Sequence, residues 1–381
     1  MPRLVALDLP AGPAFLDALR AVLDDGDAAL PLDSRMAPRA RGDIVAALAP
    51  GAVIDEHGEE HLLAAGRPVE VDDALVVPTS GTTGAPKGVV LTRAALEASA
   101  RATSERLGVE PTSDRWCCCL PLAHVGGLAV LTRAIVTGTP VEVLAGFDRA
   151  EVLAAARERG ATLTSLVPTT LHRLGEAGAA AYRRIVLGGS APPDRLAPNV
   201  VVTYGMTESG SGVVYDGVPL DGVEVRIASG GEVQLRGPML LRAYRDGTDP
   251  KTDAGWFSTG DSGRLDADGR LHVDGRLRDV VVSGGENVWP EHVEQILRRV
   301  PGVADVGVAG TADAEWGERV VAYVVPVEQA APPTLAALRA AVLDAIGPWA
   351  APRELVLANT LPRTAIGKLK RSSLSSLVGL G

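Results

Sequence analysis

Lysine is nearly missing from this chain: Lys87, Lys251, Lys368 and Lys370 are the only four, against thirty-three arginines in 381 residues. The arginine-, alanine- and glycine-heavy composition is that of a GC-rich genome. A lysine kept against that drift marks a place where a compact ammonium serves better than a planar fork. Two of the four fall in motifs described below, while Lys251 and Lys370 fit ordinary surface positions. Cysteine is scarce too, and its three copies are consecutive, Cys117-Cys118-Cys119. On a strand they point to alternate faces, which places them poorly for one metal or a mutual disulfide. Buried thiols in a reducing compartment are expected instead. Positive charge is not in surplus. The net charge of −10 argues against nucleic acid and anionic membrane as partners. No apolar run reaches the length of a membrane span, and Met1-Pro2-Arg3-Leu4 does not begin a secretion signal. A cytoplasmic protein of two or three domains is expected.

What is present is concentrated between Val77 and Val90, where four hydroxyls, three glycines and Lys87 lie between two apolar, β-branched runs. Glycines let the main chain approach polyphosphate oxygens closely, and hydroxyl and amide donors can then face them. The stretch is not a Walker A loop. Lys87 is followed by Gly88 and the strand-like Val89-Val90-Leu91 rather than by Ser/Thr opening a helix. An ordinary polar hairpin loop is the alternative, and the unbroken Thr/Ser/Gly run from Thr79 to Gly84 argues against it.

Beyond this loop, β-rich runs (74–77, 116–120, 141–144, 162–167, 184–187 and 200–203) alternate with helical patterns at 93–107, 127–137, 149–159 and 169–177. That alternation predicts an α/β fold with largely parallel sheet. After Gly217 short strands with Gly/Asp turns, 222–227 and 232–236, predict a small β-rich subdomain. From 278 onward the order is strand, helix (290–299), strand (304–309), strand (319–325), helix (335–346), strand. Pro290, with Glu291 and Glu294 behind it, suits a helix N-terminus. Residues 13–33 read as one helix and a short strand.

Further motifs follow the loop in order: Tyr204-Gly205-Met206-Thr207-Glu208-Ser209, Trp256-Phe257-Ser258-Thr259-Gly260-Asp261, Gly275-Arg276-Leu277-Arg278-Asp279, Ser283-Gly284-Gly285-Glu286-Asn287 and Pro362-Arg363-Thr364-Ala365-Ile366-Gly367-Lys368. With these, the chain from about Asp73 to its end resembles the adenylate-forming superfamily of acyl-CoA synthetases, peptide-synthetase adenylation domains and luciferases. The resemblance implies an N-terminal domain over 1–277, made of α/β sheet layers with the β-rich subdomain. A small mobile α+β lid then follows over 278–381. The family usually carries well over a hundred residues before its phosphate loop, so a trimmed N-terminal subdomain is expected. Such shortening is similar to the short o-succinylbenzoate–CoA ligases of actinobacteria.

The reaction so implied uses ATP, Mg²⁺ and coenzyme A. A carboxylate attacks the α-phosphorus to give an acyl-adenylate, and the thiol then expels AMP. Thr79, Ser80, Gly81, Thr82, Thr83, Gly84 and Lys87 would hold the β- and γ-phosphates. Glu208, otherwise a solvated loop carboxylate, would bind Mg²⁺. Thr207 would contact the α-phosphate and Tyr204 would pack on adenine. Gly188, Gly189 and Ser190 would let the backbone lie against the nucleotide. Asp261 would accept from the ribose hydroxyls, with Arg276 reaching ribose or phosphate. Lys368 would bridge carboxylate and α-phosphate in the first step. Arg278 would be the hinge or, alternatively, an exposed linker arginine. Gly284 and Gly285 would then line the thiol's approach. Ser283 to Pro290 is similar to CoA ligases, and no Gly-x-Arg-Ile-Glu of the peptide-synthetase kind is present, which favours CoA over a carrier protein.

For the acid, Leu120 to Gly127 resembles the family's acyl-pocket segment, with His124 at its gate. Arg133, nine residues on, stands where o-succinylbenzoate–CoA ligases meet the second carboxylate of a menaquinone precursor; an exposed helix arginine is the alternative. Other aryl- or fatty-acyl-CoA ligases stay open, as does a nucleotide-binding protein without catalysis. The partner is a small carboxylic acid, with no membrane insertion and homo-oligomerisation left open.

Overall fold

The computed structural model describes residues 1–80, 86–193, 195–329, 331–363 and 369–377. The chain forms two compact units, Met1–Val225 with Leu235–Phe257, and Arg226–Gln234 with Ser258–Gly381. No helix among the described residues is long and apolar enough to cross a membrane.

The first unit holds two seven-stranded sheets. One runs, edge to edge, Ala243–Tyr244, Pro86–Thr92, Asp73–Ser80, Ala28–Pro31, Leu4–Leu7, Ala52–Ile54, Glu60–Leu62. Its centre is parallel, and Asp73–Ser80 with Pro86–Thr92 forms an antiparallel hairpin. Residues 13–33 form one helix, Pro13–Asp24, and one strand, Ala28–Pro31, as expected. The short runs Leu4–Leu7 and Ala52–Ile54 join the sheet, and helix Pro38–Leu48 sends Ile44 and Leu48 into its core. Three or four apolar residues carry too little periodicity to separate a buried strand from a helix fragment.

The other sheet runs Val218–Pro219, Ser211–Tyr215, Val200–Met206, Arg184–Leu187, Leu163–Leu166, Trp116–Cys118, Val141–Val143. Its five strands from Val200–Met206 to Val141–Val143 are parallel, and the α/β expectation holds there. Parallel strands buried on both faces read as continuous apolar runs, which is why they were legible. The helical pattern at 169–177 splits into Pro168–Leu174 and Glu176–Ala179, because Gly175 between them has φ +76°. Helix Val125–Thr137 is buried along most of its length. Gly127 in its first turn is obligatory: a Cβ there would stand 2.5 Å from the Pro121 carbonyl oxygen.

The second unit carries a four-stranded sheet, Glu224–Ile227, Glu232–Arg236, Phe257–Leu265, Leu271–Arg276, whose first strands straddle the division between the units. It also carries a five-stranded sheet built on the long hairpin Val303–Asp313 and Gly317–Pro326. Helices Pro290–Leu297 and Leu335–Ala345 close over the latter, burying Val293, Leu297, Leu338 and Val342 against Val306, Val308 and Val324. Each such side chain contributes about 1.5–3 kcal/mol on leaving water.

Candidate active site

In the antiparallel pair Asp73–Ser80/Pro86–Thr92, Thr79 stands opposite Lys87 and Ser80 opposite Pro86. Gly81, Thr82, Thr83 and Gly84 lie outside the described residues. The stem explains Gly88, where a Cβ would press within 2.6 Å of Val76. Lys87 and Val89 share one face of their strand, and the edge strand Ala243–Tyr244 pairs Tyr244 with Val89. Tyr244 and Lys87 are therefore diagonal neighbours, and the Lys87 ammonium lies 5.0 Å from the centre of the Tyr244 ring.

The other end of Tyr244 reaches Glu208. Its hydroxyl donates to Glu208 Oε1 at 3.1 Å, and the Leu241 N–H donates to the Glu208 carbonyl at 2.7 Å. Burial and the Glu208 carboxylate push the Tyr244 phenol well up, so it stays a donor. Thr207–Ser209 is a single tight turn fixed by Ser209, fully buried, whose hydroxyl accepts from Met206 N–H at 2.9 Å and donates to the Ser211 carbonyl at 2.8 Å. Tyr204 is half-buried on the strand that leads into this turn, and that strand runs on to Met206, beyond the expected end at 203. Gly205 sits at a bulge where a Cβ would stand 2.0 Å from the Ser211 carbonyl oxygen.

Gly188, Gly189 and Ser190 follow strand Arg184–Leu187, and the chain from Cys119 to His124 follows strand Trp116–Cys118. With Thr207 and Glu208 they lie beyond the carboxyl ends of parallel strands, where open α/β sheets bind ligands. A Cβ at Gly188 would meet Thr203 Oγ1 at 2.8 Å, and Gly189 has φ +90°. His124 is the N-cap residue of Val125–Thr137.

Arg133 is not an exposed helix arginine: it is 3% exposed. Its Nη2 donates to the Ser211 hydroxyl, and its guanidinium lies 5.6 Å from the centre of the buried Trp116 ring. Nε and Nη1 are buried with no hydrogen-bond partner among the described residues, and no carboxylate pairs with the group there. Cys118 is fully buried beside Gly127, and burial pushes its thiol up to about 12. All three cysteines are free and buried, with Cys117 and Cys118 on the strand and Cys119 just past its end.

In the second unit Asp261, buried, pairs with Arg276 at 2.9 Å; Arg276 Nη1 also donates to the Thr259 carbonyl at 2.9 Å. Arg278, its side chain 71% exposed, lies in the short turn Leu277–Asp279. Gly284 (φ +62°) and Gly285 (φ +85°) form the two-residue tip of the hairpin between Val281–Ser283 and Glu286–Val288, a turn that needs positive φ twice. Lys368 lies outside the described residues, but the strand-like bridge Arg363–Leu369 flanks it. Arg371 just beyond is held by Glu294 at 2.5 Å, Glu291 at 2.6 Å and Asp279 at 3.5 Å. The sequence pointed to none of Tyr244, Ser211 or Arg371. Each lies far along the chain from its partner, and no local pattern marks it.

The arrangement is that of a nucleotide-using α/β enzyme. Residues 55–245 match the family of AMP-binding enzymes and residues 292–368 its C-terminal domain. The chain belongs to that family. It is 42% identical over 393 aligned positions to a protein of Mycobacterium tuberculosis named probable 2-succinylbenzoate–CoA ligase, covering 97% of each chain. Its structure is similar to o-succinylbenzoate CoA synthetase of Bacillus subtilis bound to the acyl-adenylate intermediate, with a TM-score of 0.87 and 28% identity over 99% of this chain and 88% of that one. The same B. subtilis enzyme with ATP and magnesium ion aligns with a TM-score of 0.85, again at 28% identity, over 98% and 89% of the two chains.

Proposed function

We propose that this chain is an ATP-dependent 2-succinylbenzoate–CoA ligase of the menaquinone route, working in two steps through an acyl-adenylate. In the first step the succinyl carboxylate attacks the α-phosphorus and pyrophosphate leaves. In the second the thiol of CoA attacks the acyl carbon and AMP leaves. The near full-length match to a ligase of that name supports the reading. The observation that carries the choice of acid is Arg133, a buried guanidinium with two unpartnered nitrogens on the helix that follows His124. Such a group is costly without an anion, and a substrate's second carboxylate supplies one. A fatty acid has no second charge to offer.

In this reading the residues between Thr79 and Lys87 cradle the β- and γ-phosphates, and Thr207 meets the α-phosphate. Tyr204 and Gly188–Ser190 receive the base, and Asp261 with Arg276 the ribose. The carboxylate oxygens of Glu208 suit Mg²⁺, a hard cation. When bound it neutralises phosphate charge as pyrophosphate departs. Lys368 steadies the charge gathering between acid and α-phosphate. We read 1–277 as the nucleotide and acid domain and 278–381 as a lid pivoting at Arg278, after which Gly284 and Gly285 line the path of the thiol. The reaction is placed in the cytoplasm, on a soluble acid, with neither nucleic acid nor membrane as partner.

A panel of acids with ATP and CoA tests this. The enzyme should prefer 2-succinylbenzoate to benzoate or a fatty acid. Arg133→Ala should cost roughly 1–3 kcal/mol in kcat/KM for that acid with KM for ATP little changed. Preference for a fatty acid, or a silent Arg133→Ala, would leave only a general acyl-CoA ligase. Absence of ATP–pyrophosphate exchange would remove the enzyme reading altogether.

A further inference from the structure

We infer that Tyr244 is a positioning residue that ties the metal-binding carboxylate to the phosphate-loop lysine, an inference that rests on the roles proposed for Glu208 and Lys87. Four contacts along five residues make the tie. Leu241 N–H donates to the Glu208 carbonyl at 2.7 Å, and the Tyr244 hydroxyl to Glu208 Oε1 at 3.1 Å. The Tyr244 ring then faces the Lys87 ammonium at 5.0 Å, and Arg245 N–H donates to the Gly88 carbonyl at 2.7 Å. Both backbone and side chain of Glu208 are thus held by one segment, and that segment is pinned beside Lys87 by its pairing with Pro86–Thr92.

The chemistry of each contact differs, which makes the two functions of one side chain separable. A hydrogen bond to Oε1 fixes the carboxylate's rotation, while Oε2 takes no hydrogen bond among the described residues and stays available to a cation. The ring face attracts the ammonium without using its donors, so all three N–H groups of Lys87 remain for phosphate oxygens. Without the ring the lysine would have four rotatable bonds to order on binding.

Tyr244→Phe removes only the hydroxyl and Tyr244→Leu removes ring and hydroxyl together. Calorimetric titration of ATP into the full chain, once with Mg²⁺ and once with EDTA, separates the two contacts. Wild type should bind ATP more tightly with Mg²⁺. Tyr244→Phe should lose roughly tenfold of that Mg²⁺-dependent gain, with affinity in EDTA unchanged. Tyr244→Leu should lose it too and bind ATP a further two- to fivefold more weakly in EDTA. Thioester formation from supplied acyl-adenylate and CoA should be unaffected by Tyr244→Phe, a split that a merely structural residue would not give. If the wild type itself shows no Mg²⁺-dependent gain, the assignment of Glu208 fails and this inference with it. If it does and Tyr244→Phe keeps the full gain, the assignment of Glu208 stands and the role of Tyr244 is overturned. An equal loss in Tyr244→Phe with and without Mg²⁺ overturns it as well.

Discussion

Arg133, 3% exposed, and Arg371, its side chain 12% exposed, are treated in opposite ways by this fold. In the second unit, Arg371 is enclosed by Glu294, Glu291 and Asp279, and also donates to the Val308 carbonyl at 3.1 Å. In the first, Arg133 has one hydroxyl, one indole face and no carboxylate among the described residues. A buried charge needs hydrogen bonds and a counter-charge. Arg371 has both within its own unit, so its energetics concern folding. Arg133 lacks a counter-charge among the described residues, so its energetics concern whatever anion arrives. The difference distinguishes a structural ion cluster from a binding residue, although the residue type is the same.

The largest effect that would break the comparison is on stability. Arg371→Met takes from Glu294, itself buried, one of its two arginine partners and leaves Arg298 at 3.3 Å; breaking a buried pair costs up to about 3–5 kcal/mol. Urea unfolding of the full chain should show a loss of that size for Arg371→Met and none for Arg133→Met, which removes a charge that has no carboxylate to strand. Equal losses in the two variants would erase the distinction.

The pH dependence sharpens it. Burial raises the Glu294 carboxyl above its ordinary value of 4.5, with Arg371 and Arg298 pulling it partly back. A group whose folded value is raised contributes stability that is full below its unfolded value and is lost as pH rises through the folded one. Removing Arg371 takes away a force that lowers the carboxyl, so stability of Arg371→Met should fall more steeply above pH 4.5 than that of the parent. Urea midpoints measured in a series of buffers upward from that pH test the slope. Arg133→Met should follow the parent's curve.

The smallest effect concerns Ser211, the one hydrogen-bond partner of the Arg133 guanidinium among the described residues. Ser211→Ala leaves the guanidinium in place but less fixed. KM for 2-succinylbenzoate should rise by the equivalent of about 0.5–1.5 kcal/mol, with KM for ATP and urea stability close to those of the parent. A rise in KM for ATP instead would mean that Ser211 serves the nucleotide.

Much of the fold was legible along the chain. The parallel strands of the second sheet of the first unit announced themselves as β-rich runs alternating with helical patterns. Burial of Cys117, Cys118 and Cys119 was expected of thiols in a reducing compartment, and all three are buried. Less was legible where elements are short: Leu4–Leu7 and Ala52–Ile54 are strands only because neighbours supply the sheet. Among the site residues, Arg133 could be picked out by its place after the His124 segment, yet the exposed reading stayed open as the alternative until the packing around Trp116 closed it. Tyr244 was invisible. Its partner Glu208 is 36 residues away, and only the pairing of the edge strand Ala243–Tyr244 with Pro86–Thr92 brings Lys87 to its ring.

The sequence by itself determined the chemistry on offer: a run of hydroxyls and glycines ending in one of four lysines, and a Thr-Glu pair behind a strand. It also determined the local conformations those residues impose, because turns and periodic patterns depend on near neighbours. Tertiary structure alone decided which charges are spent on the protein and which are left over. Arg133 meets Ser211 across 78 residues and Arg371 meets Glu291 across 80. The worth of a guanidinium is set by dielectric and by the partner at its end, and both are fixed by strand order and packing rather than by the residues beside it.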